Sequence, residues 1–242
     1  MQRASQVLPL KHKPQAVAHP GDGGATVPQI VQTLEEDLLF GLLHPRERLI
    51  ENDLIERFDA KRHVVRQALA ELDRIGLVER PPGRSVTVKD LMPSEVEQIY
   101  AMRELLETAA AAWMPLPLEP ATLEQITEIQ RRHDAAASSR DIRAMFRINI
   151  EFHQALFAHS GNHYLSEQIE LLGKKAHAVR SFSITKLAHI ESARRDHWQI
   201  IRALQKGDRA KLVSLCREHI QVSKDAYIDA YQARFVARPQ PA

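Results

Sequence analysis

Twelve histidines stand among 242 residues, and three of them fall where a helical repeat turns a side chain inward. In "FRINIEFHQALF", Asn149 and His153 are four apart and share the stripe of Phe146, Leu156 and Phe157. His197 falls between Ala193 and the group Ile200, Ile201 and Leu204, and His219 falls with Leu212, Leu215 and Val222. A single inward imidazole is usually a core residue satisfied by one hydrogen bond. Three of them from three helices, with a carboxamide one turn from the first, form a donor set instead. Imidazole nitrogens are the commonest ligands of Zn²⁺, Ni²⁺ and related ions. A shell with protein ligands on one side leaves positions for water or a small ligand. Arg103, on the inward stripe of Ile99, Leu106 and Ala110, carries the fixed fork of donors that pairs with a carboxylate.

A second group suits phosphate and base contact. The stretch "KRHVVRQALAELDRIGLVERPPGRSVTV", residues 61–88, opens with Lys61, Arg62 and His63 and adds Arg66 one turn on. Helix N-termini carry partial positive charge and free N–H groups that seat phosphate. Arg62 and Arg66 share the outward face, and either can pair bidentately with guanine O6 and N7 for about 1–3 kcal/mol of discrimination. Lys61 and His63 are better placed for phosphates, which position a protein without reading sequence. Gly83 and Arg84 at the following turn could reach backbone or minor groove. Lys and Arg outnumber Asp and Glu seven to three from Lys61 to Lys89, against thirteen of each over the first ninety residues, so the basic character is local. A basic helix face is often only a solvated surface; the order of elements around it is the more specific sign.

Those elements read as follows. "VPQIVQTLEEDLLFGLL" places Ile30, Leu34, Leu38 and Leu42 on one stripe, closed by Gly41 and Pro45. "LIENDLIERF" predicts a short helix with Leu54, Ile55 and Phe58 inward. A third helix starts near Arg62, buries Val65, Ala68, Leu69, Leu72 and Ile75, and stops at Gly76. "LVERPPGRSVTV" alternates around Pro-Pro-Gly, the pattern of a two-stranded hairpin. Three helices and a hairpin are the winged helix-turn-helix order, in which the later helix enters the major groove by its N-terminal end.

A boundary is expected at residues 90–93. Ser94 and Glu97 then form a capping box for a helix burying Val96, Ile99, Tyr100, Leu106, Ala110 and Trp113. Pro115, Pro117 and Pro120 punctuate the next connection, and helices are predicted over 122–137, 141–159, 162–187, 190–206 and 208–235. The expected fold is mainly α: a disordered arm over 1–25, polar and rich in Pro and Gly, a winged helix-turn-helix domain over 26–90, and an all-helical bundle over 94–235.

Bulk properties narrow the class. A hydrophobic fraction of 44%, a charged fraction of 26% and a net charge of +2 are those of an ordinary globular chain, not a polycation. No apolar run approaches the roughly 18 residues of a membrane span, and the N-terminus has no signal-peptide apolar core. Cys216 is the only cysteine, so no intramolecular disulfide can form. These readings predict a cytoplasmic protein. Cys216 reads as a core or interface residue, and His159 and His163, flanking "SGN", as surface or capping residues.

"LIENDLIERFDAKRHVVRQALAELDRIGLV" resembles the DNA-binding domain of the GntR superfamily of bacterial transcription regulators. The match runs through Arg62, Val65, Arg66, Ala68, Leu69, Leu72, Gly76, Leu77 and Val78, with Lys61 where the family usually has Ser and His63-Val64 where it often has Thr-Pro. "IYAMRELLE", Asn149-x-x-Phe152-His153, "GNHYL", "RRDHWQIIRALQKGD" and "CREHI" resemble the FCD ligand-binding domain of the FadR-like branch, with Asn149 where many members have Asp. By this resemblance Asn149, His153, His197 and His219 bind a divalent transition metal, Zn or Ni, and Arg103 contacts the effector.

The resulting expectation is a homodimeric regulator, of repressor type by family resemblance, on a pseudo-palindromic double-stranded DNA operator. It would be controlled by a small carboxylate bound beside the metal. Two alternatives stand beside it. A metal-dependent enzyme at the histidine site would need a general base, and Glu151 is turned about 100° per residue away from the His153 direction. An acyl-CoA-sensing regulator would need an apolar interior, to which the polar residues are ill suited.

Overall fold

The computed structural model describes residues 24–81, 83–180 and 186–236. The expected arm lies outside the described residues up to residue 23, as does Pro82 of the Pro-Pro-Gly turn. The described residues form two compact units. One gathers residues 24–92 and 174–180, the other residues 93–173 and 186–236.

The N-terminal unit begins with α1 (Val27–Leu39), whose entry is set by Gln29: its Oε1 accepts from the Thr26 N–H at 2.8 Å. Residues 24 and 25 already pack, since Ala25 is buried and its N–H donates to the Phe58 carbonyl. β1 (Arg48–Leu49) leads into α2 (Glu51–Phe58), and α3 (Arg62–Ile75) follows. Val65, Ala68, Leu69, Leu72 and Ile75 are the buried residues of α3, as the period requires, and Gly76 ends it at φ +86°, a conformation that suits glycine. β2 (Val78–Glu79) and β3 (Val86–Val88) form the wing. The expected two-stranded ribbon is a three-stranded antiparallel sheet of order β1-β3-β2, with Leu49 opposite Val86 and Val78 opposite Val88. A strand of two residues leaves no alternation to read, which is why β1 is invisible in the sequence.

The second unit holds α4 (Pro93–Trp113), α5 (Pro120–Ser139), α6 (Ile142–Ala158), α7 (His163–Lys175) up to residue 173, α9 (Leu187–Lys206) and α10 (Arg209–Val236). α4 starts at Pro93, so Ser94 lies inside the helix and cannot be its N-cap. The inward side of α4 carries Val96, Tyr100, Arg103, Glu107, Ala110 and Ala111, whereas Trp113, expected inside, is 61% exposed. Ile99 and Leu106 are half-buried. The predicted 162–187 helix is interrupted: α7 ends at Lys175, and a one-turn helix α8 (His177–Arg180) follows. Residues 174–180 pack with the N-terminal unit. There Ala178 joins the core of Ile30, Leu34, Leu69 and Leu72.

The second unit's core runs through Ile126, Ile129, Phe152, Leu156, Ile200, Leu204, Leu212 and Leu215. α6 is started by Asp141, whose Oδ1 accepts from the Ala144 N–H at 2.9 Å. Among the described residues no helix is long and apolar enough to cross a membrane.

Candidate functional site

α6, α9 and α10 each bring one imidazole to a common point. The potential ligand atoms of His153, His197 and His219 all lie within 4.8 Å of one another. His153 Nε2 and His219 Nε2 are 3.3 Å apart. His197 is fully buried and its two companions are half-buried. Phe152 stacks on the His197 ring at 4.0 Å between centroids and 15° between planes.

The outer nitrogens are held by other residues. His219 Nδ1 lies 3.2 Å from Asp196 Oδ2, and His197 Nδ1 lies 2.7 Å from Gln130 Oε1. A metal-bound imidazole is ordinarily oriented in this way, by an acceptor on its other ring nitrogen. A tetrahedral ion with bonds of 2.0–2.1 Å places two ligand atoms about 3.3 Å apart, which is the separation of the two Nε2 atoms. That pair of nitrogens therefore fits a divalent transition ion, and the His197 imidazole, within 4.8 Å of both, is the third donor available to it. Asn149 is half-buried, one turn before His153 on α6 and on the same side of the helix; its carboxamide is neutral.

Sequence reasoning overlooked the residues around the cluster. Gln130, His133 and Asp134 lie on α5 and Asp196 on α9. His133 is buried, its ring centroid 5.4 Å from that of His197, and burial pushes its pKa down to about 4, so it is neutral. The available signal was on α5, where a carboxamide and an imidazole occupy the stripe of Ile126, Ile129 and Ala136. Asp196 carries no such signal: it meets His219 across two helices.

Arg103 is 2% exposed on α4. Its Nε and Nη2 both lie 2.9 Å from Glu107 Oε1, and its guanidinium sits 4.9 Å over the Tyr100 ring. Burial opposes the charge, but Glu107 and Tyr100 outweigh it and the pKa is raised. Nη1 makes no hydrogen bond among the described residues. α4 runs antiparallel to α10, because Tyr100 meets Ser223 at 2.8 Å while Glu104 pairs with Arg217 at 3.1 Å. That register sets Arg103 level with the turn of α10 that carries His219.

In the N-terminal unit, Lys61, Arg62, His63 and Arg66 are exposed at the start of α3. Lys61 occupies the N-cap with extended backbone and no side-chain cap hydrogen bond. Arg66 Nε lies 2.9 Å from Glu51 Oε2, and Arg62 Nη2 donates to Asn52 Oδ1 at 2.9 Å. Gly83, at φ +71°, and Arg84 are exposed at the wing turn. All six of these residues are exposed.

Comparison with known proteins bears on both units. Residues 26–88 match the gntR family of bacterial regulatory proteins, and residues 98–222 match the FCD domain. The HTH-type transcriptional repressor RspR of Escherichia coli (strain K12) is 25% identical over 193 residues, covering 80% of this chain and 85% of its own. The structure of E. coli McbR/YncC is similar at a TM-score of 0.69 and 22% identity, covering 87% of this chain and 99% of its own. A transcriptional regulator GntR from Rhodococcus sp. RHA1 is similar at a TM-score of 0.71 and 20% identity, covering 85% and 98%.

Proposed function

Since this chain belongs to the gntR family of bacterial regulatory proteins and carries an FCD domain, we propose that its DNA binding is controlled by a small carboxylate bound beside a divalent transition metal in the helical unit. The chain is a DNA-binding transcription regulator, not an enzyme. The observation that carries the proposal is the convergence of His153, His197 and His219 within 4.8 Å, with Gln130 and Asp196 on the outer nitrogens.

The ion is Zn²⁺ or Ni²⁺, held by the three imidazoles with Asn149 as the further ligand. When bound, it supplies positive charge and open positions to an anionic effector. Arg103 answers the same anion. Its charge is kept by Glu107, and Nη1 is the donor to present. A polar centre of this kind suits a small anion better than an acyl chain. To act as a switch, the effector must bind the DNA-competent and DNA-incompetent states with different affinity.

At the duplex, Arg62 and Arg66 read base edges from α3, Lys61 and His63 meet phosphates, and Gly83 and Arg84 carry the wing to the backbone or minor groove. The operator is pseudo-palindromic because two copies of the chain bind it as a homodimer. Leu105 and Trp113, each 61% exposed on α4, support covering of that helix by the second copy. The regulator works in the cytoplasm as a repressor.

A thermal-shift screen with small carboxylic acids, each with and without prior chelation, tests the site. A ligand that binds only the folded state stabilises it by about 2.7 kcal/mol at a hundred times Kd. One acid is expected to raise the melting temperature, and the chelator to abolish that rise. Stabilisation that survives complete metal removal would overturn the shared site.

A further inference from the structure

We infer that Gln130 fixes the tautomer of His197 and so decides which ring nitrogen that residue offers to a metal. The inference deepens the metal reading and rests on it for its consequence, though the tautomer itself does not depend on any ion.

The direction of the hydrogen bonds carries the argument. Trp198 Nε1 donates to Asp134 Oδ2 at 2.9 Å, and Arg194 Nε donates to Asp134 Oδ1 at 3.0 Å. Indole and guanidinium nitrogens only donate, so Asp134 is an accepting carboxylate. Gln130 Nε2 lies 2.9 Å from the same Oδ1. A carboxylate cannot donate, so the amide must turn its NH₂ towards Asp134 and its carbonyl away. The carbonyl oxygen then lies 2.7 Å from His197 Nδ1. It can only accept, so Nδ1 carries the proton, and in the neutral ring Nε2 keeps its lone pair. Turning the amide over would set its carbonyl against the Asp134 carboxylate and lose that hydrogen bond.

Burial makes this choice binding. Gln130 and His197 are both fully buried, so water cannot substitute for a lost partner. Phe152 against the imidazole face limits its tilt. The relay from Trp198 and Arg194 through Asp134 and Gln130 thus ends on one ring nitrogen. His219 reaches the same tautomer by a different partner, the Asp196 carboxylate. Gln130 is a positioning residue: it acts through His197.

The test uses the full chain, metal-free, with ¹⁵N-labelled histidine. Long-range ¹H–¹⁵N correlation reads the tautomer of His197, assigned by the signal missing in His197→Asn. The expected wild-type result is a single Nδ1–H form. Gln130→Met keeps the side-chain length but cannot accept. It should give a mixture of tautomers and weaken Zn²⁺ binding, read by competition with a chromophoric chelator, by about 10–100-fold. An Nε2–H form in the wild type overturns the inference, and so does a folded Gln130→Met with unchanged tautomer and affinity. If Gln130→Met does not fold, the wild-type spectrum alone decides. A wild-type Nδ1–H form in a protein that takes up no Zn²⁺ or Ni²⁺ would leave the tautomer assignment standing and sink the metal reading.

Discussion

Arg66 on α3 and Glu51 at the start of α2 face each other with Nε 2.9 Å from Oε2. Arg62 Nη1 lies 3.6 Å from the same oxygen, and Arg80 Nη2 lies 4.0 Å from Glu51 Oε1. One carboxylate therefore spaces three guanidiniums that would otherwise repel. The arginine side chains are about half exposed, so each pair is worth no more than about 1 kcal/mol. Exchanging Glu51 for a base edge or a phosphate costs little.

Arg66→Ala should weaken operator binding by roughly 1–3 kcal/mol and relax discrimination at one base pair, while metal content stays at the wild-type level. Fluorescence anisotropy on matched and mutated duplexes, with elemental analysis of the same samples, reads both. Undiminished discrimination would remove Arg66 from base reading.

Glu51→Gln should tighten binding to DNA of unrelated sequence and steepen its salt dependence. The substitution removes the negative charge that the three guanidiniums share, and each additional phosphate contact adds about 0.9 to the logarithmic slope. Titrations at several salt concentrations measure that slope. A slope equal to the wild type would mean that the carboxylate does not hold these arginines back from phosphate.

Glu35 on α1 gives a pH dependence with a defined sign. Burial raises its pKa from 4.5 to about 7, against the opposing charge of Lys174, and its Oε1 makes no hydrogen bond among the described residues. The folded state then holds the proton more tightly than the unfolded chain between pH 4.5 and 7. The group is most favourable below pH 4.5, and its contribution is lost as pH rises through 7. The span is up to roughly 3 kcal/mol. Glu35→Gln should flatten this part of the stability profile and raise the melting temperature at pH 8. Calorimetry from pH 4.5 to 8 compares the two proteins.

Cys216 should be inert in the native protein. It is 3% exposed in the α10 core, and burial pushes its thiol pKa well up. A thiol reagent should label one group per chain only after denaturation. Rapid labelling of the folded protein would place Cys216 at a surface instead.

The sequence made some of this legible and hid the rest for physical reasons. Val65, Ala68, Leu69, Leu72 and Ile75 obey a helical period cleanly, so the inward and outward faces of α3 could be separated without coordinates. The three histidines were found the same way, because each sits in an otherwise apolar stripe. Their partners were not, since the contacts of Gln130 with His197 and of Asp196 with His219 span 67 and 23 residues. Trp113 continues the apolar stripe of Leu106 and Ala110 in the sequence, whereas α4 gives the inward turns to Arg103 and Glu107, a buried pair that a count of apolar residues cannot see.

The packing of residues 174–180 with the N-terminal unit bears on how this chain can be recombined. A chimaera that joins residues 24–92 to a foreign sensor would carry across the helices and the wing but leave behind α8, whose Ala178 belongs to the same apolar core. The cut that looks natural on a linear map divides a folding unit. A graft that keeps this unit's packing whole takes in two separate stretches of the gene.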